Sequence, residues 1–330
     1  MHTNAGSLNL RIGILQDLGQ NPYWTKYARF ALTNNLSHGV INIHRSDWRE
    51  QVSTYNLIVG RPASYPAVLE EMKRKVFLME SAMRLTCYPS LKDLQIYEDK
   101  HVQYELLRIF NHPVIPTIVS YDYEEAIERA KTLDYPVVSK LITGSGSMGV
   151  ELVQSPAGAL KIIREAFSRI GRFSYWGYVR QKDYVLFQQY VENDGYDIRV
   201  IVVDNHVFGY YRKAGQNDFR ASGSGVVEKR GLPEPAIRIA RKVAADLNQA
   251  YLSVDFLKTH DNQYLIIEMA QYNSIETAEQ LQVNNTAGAY VFDSEDRYTF
   301  VPGRFWLQEL ALRKVCCDSI ERMAGNGSAS

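Results

Sequence analysis

The segment Tyr135-Pro-Val-Val-Ser-Lys140-Leu-Ile-Thr-Gly144-Ser145-Gly146-Ser147-Met148-Gly149-Val-Glu-Leu152 constrains the fold more than any other part of the chain. A short β-branched run ends in Lys140, a loop of glycine and serine follows, and a second apolar run (Val150, Leu152, Val153) closes it. That order predicts two strands joined by a mobile glycine-rich flap. Glycines let backbone N–H groups come close to an anion, and those dipoles suit phosphate. Lys140, on the strand before the flap, can add a point charge to the same phosphates. An ordinary hairpin loop with an incidental lysine has the same signature, so the segment alone does not decide the chemistry. It is not a Walker loop, because no Gly-Lys-Ser/Thr closes it, and no helix follows the glycines as a dinucleotide fingerprint requires.

With 330 residues, 45% of them hydrophobic, and a formal net charge of zero, the chain is long enough for two or three packed subdomains. The balanced charge argues against a nucleic-acid partner and leaves a small anionic ligand open. Cys87, Cys316 and Cys317 cannot make a disulfide framework and have no metal-ligand spacing, so the vicinal pair reads as buried or idle thiols. The start, Met1 to Gly6, lacks the basic and apolar stretches of a signal peptide, and no apolar run approaches membrane-spanning length. The expectation is a cytoplasmic protein with no membrane partner.

Leu10–Leu15, Val40–Ile43 and Asn56–Val59 are short apolar runs bounded by turn residues, and helical stretches lie between and after them, one over 67–83. This alternation predicts a small open α/β domain over residues 1–93. Arg61, just after a strand, lies where such sheets place ligands, although a solvated loop arginine reads the same way. A helix opens at Lys100-His101, Asp122 with Glu125 is a capping signal, and Ser155-Pro156 starts a further helix. Gly171 to Lys182 reads as an irregular connection rich in aromatics, with Tyr175, Trp176 and Tyr178 packing between subdomains. Beyond it the chain is mainly sheet, with a hairpin turn at Asp204-Asn205, and residues 315–330 read as a disordered tail.

Two acids interrupt the last strands, Asp255 in Ser-Val-Asp-Phe-Leu and Glu268 ending Tyr-Leu-Ile-Ile-Glu. Carboxylates on neighbouring strands that face the same way suit Mg²⁺ bridging nucleotide phosphates. Arg199, Arg212, Lys213 and Arg220 accumulate upstream and can clamp phosphate or carboxylate through paired hydrogen bonds.

Taken in order, these pieces resemble the ATP-grasp superfamily, and within it the RimK-like carboxylate–amine ligases and their glutathione-synthetase relatives. The resemblance covers Leu94 to Leu310. It implies an ATP-grasp fold of mixed α/β (α+β) class: a small open α/β (pre-ATP-grasp) domain over 1–93, a central lid subdomain over 94–186 and a C-terminal antiparallel-sheet subdomain over 187–314. It implies that Lys100 and Lys140 touch ATP phosphates and that Gly144, Ser145, Gly146, Ser147, Met148 and Gly149 form the phosphate flap. The strand Gln188-Gln189-Tyr190-Val191 would read the adenine edge through its backbone, with Asp197 near the nucleotide. Arg199, Arg212 and Arg220 would carry the catalytic positive charge, and Asp255 and Glu268 would hold the metal.

Two departures bear on that implication. The family's Glu-x-Asn at the metal site is Glu268-Met269-Ala270 here, which puts the second of one or two Mg²⁺ ions in question, with Gln271 or Asn273 as replacement donors. The Arg-x-Asn of the preceding loop is Arg220-Ala-Ser222. The implied activity is ATP-dependent ligation of a small-molecule or peptide carboxylate to an amine through an acylphosphate. A kinase on the same fold and a catalytically weakened nucleotide-binding protein are the alternatives, and homo-oligomerisation is left open.

Overall fold

The computed structural model describes residues 10–17, 22–144, 146, 148–215, 220 and 226–327. The front of the chain alternates β1 (Arg11–Leu15), α1 (Tyr23–Thr33), β2 (Ser37–Ile41), α2 (Trp48–Val52), β3 (Leu57–Val59), α3 (Pro66–Ser81), β4 (Thr86–Tyr88) and α4 (Leu91–Ile96). Its strands form a parallel sheet in the order β2-β1-β3-β4. The central strands are apolar without alternation, as a sheet covered on both faces requires: Ile12, Ile14, Leu57, Ile58 and Val59 are all buried.

The next elements are α5 (Lys100–Ile109), β5 (Thr117–Ser120), α6 (Tyr123–Thr132), β6 (Val137–Ser139), β7 (Glu151–Val153), α7 (Pro156–Ala166), β8 (Arg172–Phe173), β9 (Arg180–Gln181) and β10 (Val185–Gln189). An antiparallel lid sheet, β5-β10-β6-β7, has its own small core, in which Ala126, Ala130, Ile162 and Ile163 of α6 and α7 pack on Val137, Val185 and Phe187. Asp122 accepts from the Glu125 N–H at 2.7 Å and caps α6, as its spacing predicts. Strand β10 pairs wholly with β5 and β6, so the division expected at 186/187 moves past Gln189. The expected irregular connection contains a two-stranded ribbon, β8 with β9.

Then follow β11 (Tyr196–Val203), β12 (His206–Lys213), β13 (Val227–Glu228), α8 (Glu234–Asp246), β14 (Tyr251–Lys258), β15 (Tyr264–Ala270), β16 (Gln282–Val283), β17 (Thr286–Phe292), β18 (Tyr298–Pro302) and α9 (Leu307–Gly327). Their main sheet runs β15-β14-β11-β12-β17-β16, with β13 and β18 paired at its side. The core beneath it is continuous with that of the front domain. The expected disordered tail is corrected: α9 continues to Gly327. Leu307, Ala311, Leu312, Val315, Cys316 and Ser319 recur at helical spacing and are buried. Arg29 of α1 donates to Glu309 at 2.6 Å, which ties α9 to the front domain. No helix among the described residues is long and apolar enough to cross a membrane.

Candidate active site

Side chains alternate along a strand, so residues two apart share a face. Asp197 and Arg199 on β11, and Tyr210 and Arg212 on β12, therefore point to one side of the main sheet. The register puts Glu268 opposite Asp255, Asp255 opposite Arg199, and Arg199 opposite Tyr210, forming one row across four strands. One step along the same face, Asp197 stands opposite Arg212.

The charges in this row hold one another. Arg199 donates Nε to Oδ1 and Nη2 to Oδ2 of Asp255, both at 2.7 Å. Arg212 makes the same fork to Asp197 at 2.6 and 2.8 Å, and its Nη2 also reaches Oδ2 of Asp255 at 2.7 Å. Burial works to raise the Asp255 pKa, but the Arg199 and Arg212 guanidiniums outweigh it and hold the carboxyl at about 2. Asp197 moves the other way: burial pushes it up, Arg212 pulls it back, and the Asp255 charge adds to the rise. Glu268 is more open, with Lys100 Nζ 3.9 Å from its Oε2.

The lid faces this row. Lys140 is buried at the end of β6, and its Nζ donates to Gln188 Oε1 at 2.6 Å. Burial lowers the Lys140 pKa to about 8, against the pull of Glu268. Gln188 in turn donates to Thr117 Oγ1 at 3.2 Å, so its side chain serves to hold the lysine. Asp99 caps α5, accepting from the Val102 N–H at 2.9 Å, and so sets Lys100 at the helix start. There Lys100 Nζ donates to the Gly144 carbonyl at 2.5 Å. Gly149 has φ +75°, and a Cβ there would lie 2.6 Å from the Leu141 side chain; the turn needs glycine for both reasons.

Two cavities meet at this place. The lid cavity, between the lid sheet and the main sheet, is lined by Lys100, Lys140, Gly144, Gly146, Met148, Gln188, Gln189, Tyr190, Val191, Asp197, Arg212, Arg220, Asp255 and Glu268. Those are the nucleotide, catalytic and metal residues implied by the resemblance, apart from Arg199, Gly149, Ser145 and Ser147. Arg199 lines the second cavity, Gly149 packs behind the flap on Leu141, and Ser145 and Ser147 lie outside the described residues. The Gln189 N–H is given to the Pro116 carbonyl at 2.8 Å.

The front cavity has a volume of about 630 Å³ and lies between the front domain and the main sheet, with Arg61, Glu98, Arg199, Tyr210, Ala270 and Asn273 in its wall. Sequence reasoning missed Glu98 and Tyr210 here, and Ile115, Val138, Leu257 and Ile267 in the apolar wall of the lid cavity. Ile267 is reached through a register shift between β14 and β15, where Phe256 pairs with Ile266 while Asp255 pairs with Glu268. The extra residue of such a bulge re-aims a side chain, and strict alternation along the sequence hides it.

Neither expected replacement donor takes the place of the family's asparagine. Gln271 is buried outside both cavity walls, and Asn273 spends its Oδ1 on the Tyr251 hydroxyl at 2.9 Å. Packing of the aromatic hairpin holds for Trp176, whose ring lies 5.3 Å from Tyr65 of the front domain; Tyr175 and Tyr178 are exposed.

A cavity between a glycine-flapped antiparallel lid and a second antiparallel sheet, with a lysine on the lid and carboxylates on the sheet, is the ATP-grasp arrangement. Residues 99–291, more than half of the chain, match the RimK-like ATP-grasp domain, and the protein belongs to that family. It is similar to the coenzyme γ-F420-2:α-L-glutamate ligase of Methanocaldococcus jannaschii, 30% identical over 182 residues, which make up 53% of this chain and 59% of that relative. The chain thus spans less than two thirds of that relative's length. It is also similar to the α-aminoadipate–LysW ligase LysX of Sulfurisphaera tokodaii, 23% identical over 83% of this chain and 93% of the relative. Among solved structures, a Chryseobacterium gregarium RiPP-associated ATP-grasp ligase in complex with ADP and a leader and core peptide superposes with a TM-score of 0.58. It is 13% identical, over 80% of this chain and 90% of that one, and so shares the fold.

Proposed function

We propose that the protein is an ATP-dependent carboxylate–amine ligase of the cytoplasm, joining a small-molecule or peptide carboxylate to an amine. The observation that carries this reading is the junction of the two cavities: Lys100, Gly144, Gly146, Arg212, Asp255 and Glu268 line both. ATP in the lid cavity brings its terminal phosphate to that junction, and a substrate in the front cavity meets it there. The substrate carboxylate attacks the γ-phosphorus, the bond to the β-phosphate oxygen breaks, and ADP leaves. The amine then attacks the acylphosphate carbonyl, loses a proton and displaces inorganic phosphate.

In this reading Lys100, Lys140, Arg199, Arg212 and Arg220 balance the charge on the transferring phosphoryl group. The closed flap keeps water from the acylphosphate. Of the donor set, Glu268 opens on the cavity junction, while both Asp255 oxygens are held by Arg199 and Arg212, so Asp255 would meet Mg²⁺ only after a fork to arginine opens. Mg²⁺ held by Glu268 and Asp255 would supply further charge neutralisation there. The names of the two relatives, a glutamate ligase and an aminoadipate–LysW ligase, support the same class of reaction.

The test is Mg²⁺-dependent release of ADP and phosphate with pooled amino acids and short peptides, comparing wild type with Glu268→Gln. ADP that appears only with particular carboxylate and amine pairs, and is lost in the variant, supports the ligase. ADP formed with a hydroxyl compound and no amine marks a kinase. Tight ATP binding with no ADP from any pool means a substrate outside the panel or the binding-only alternative that Ala270 favours, which Ala270→Asn separates, and failure to bind ATP removes the reading.

A further inference from the structure

The ribbon of β8 and β9 is bonded to both ends of the flap and reaches from there to the front domain. At the flap's exit, Arg172 of β8 forms an ion pair with Glu151, the first residue of β7, and its Nη1 donates to Gln181 Oε1 of β9 at 3.2 Å. At the flap's entry, the Ile142 N–H donates to the hydroxyl of Tyr184, three residues beyond β9, at 3.2 Å. Ser174 sets the tip of the ribbon: its hydroxyl donates to the Val179 carbonyl at 2.6 Å and accepts from the Trp176 N–H at 3.1 Å. A tip fixed in this way moves with the ends of the flap.

At that tip the Trp176 ring meets Tyr65 edge to face, with centroids 5.3 Å apart. Among the described residues, no hydrogen bond, ion pair or other ring contact joins residues 117–189 to the front domain. Phe173, Tyr175 and Tyr178 of the same ribbon are 70%, 61% and 61% exposed, so the ring that is partly covered is the one that meets the front domain. Tyr65 stands at the start of α3, at the end of the loop whose Arg61 and Ser64 wall the front cavity. We propose that Trp176 and Tyr65 form a clasp by which the front domain holds the flap closed over the lid cavity. Trp176 is a positioning residue: it acts on the flap through the ribbon, and the β3–α3 loop thereby sets how long a nucleotide stays. That second part rests on the reading of the lid cavity as an ATP site; opening of the flap can be measured without nucleotide.

The experiment compares wild type with Trp176→Ala, Tyr65→Ala, the double variant and, as a control on the same ribbon, Tyr178→Ala. Two quantities are read: hydrogen exchange of the segment 140–153 with and without ADP and Mg²⁺, and the release rate of N-methylanthraniloyl-ADP by stopped-flow chase. An edge-to-face aromatic pair is worth about two- to tenfold in an equilibrium, so Trp176→Ala and Tyr65→Ala should each speed exchange and release by about fivefold. The double variant should match either single one, because breaking a clasp from both sides opens it no further. Tyr178→Ala should stay within about twofold of wild type, as should the denaturant midpoint of every variant. If Trp176→Ala does not fold, Tyr65→Ala reads the same clasp from the front domain. No change in exchange or release with either single variant overturns the proposal. Effects that multiply in the double variant overturn it as well, and so does an equal effect of Tyr178→Ala. A wild type that fails to bind the labelled ADP overturns the nucleotide reading instead, and exchange without nucleotide still judges the clasp.

Discussion

The lid cavity has two unlike walls. On the lid side are the backbone of a glycine flap, an apolar lining and one buried lysine; on the sheet side, Asp197, Arg212 and Asp255 are locked into forked ion pairs. The contrast teaches how the work is divided. A wall that moves is best built from groups whose bonding does not depend on a fixed partner. A wall of buried charge must be rigid, because each ion offsets the desolvation of the next. Lys100 joins the two, holding the Gly144 carbonyl at the flap's base while lying 3.9 Å from Glu268.

The largest effect that can break this contrast is expected on the sheet. Asp255→Asn leaves Arg199 and Arg212 short of a buried counter-charge and should cost about 3–5 kcal/mol, read from denaturant unfolding without nucleotide. A cost near zero would show that the row is not rigid in the sense argued. The flap should respond oppositely. Gly149→Val meets both the positive φ and the Leu141 side chain, so turnover should fall by about a hundredfold if flap closure positions the phosphates. The main sheet should unfold at the same denaturant midpoint, and a matching fall in that midpoint would mean that the flap is part of the rigid wall.

A smaller effect concerns Lys140. Its pKa, near 8 when free, should rise toward the ordinary lysine value when phosphates pair with it. Below pH 8 it is already charged, so binding is insensitive to pH. Above pH 8 binding takes up a proton, and ADP affinity should fall by up to about tenfold per pH unit. Lys140→Met should flatten that slope, and calorimetry in buffers of different ionisation enthalpy counts the proton. The smallest change is Ala270→Asn, which should leave unfolding within about 0.5 kcal/mol of wild type and add a second bound ion. Mn²⁺ titration followed by electron paramagnetic resonance counts the ions without reference to activity.

Much of this molecule could be read from local chemistry. The strand–glycine–strand order around Lys140, the capping signal at Asp122 and the acids on paired strands are all short-range patterns, and the corresponding elements lie where those patterns put them. What escaped depends on long-range pairing. The register shift that turns Ile267 toward the cavity exists only between β14 and β15, and the mutual locking of Asp197, Arg212 and Asp255 exists only once three strands are aligned. Strand β10 looks by sequence like the start of the last sheet, yet its partners belong to the lid. In α9 the polar, glycine-containing end drew attention from an apolar stripe that continues through Val315 and Cys316.

The row Glu268–Asp255–Arg199–Tyr210 also has a consequence for how this protein can change over generations. Its side chains face one way only because four strands are aligned to the residue. A substitution within the row alters one group. A single inserted or deleted residue in β11 or β14 rotates every following side chain by half a turn, sending the charges toward the apolar core and the core residues toward the cavity. Divergence of this sheet should therefore proceed by exchange of residues, and length variation should be confined to the turns at its ends and to the flap.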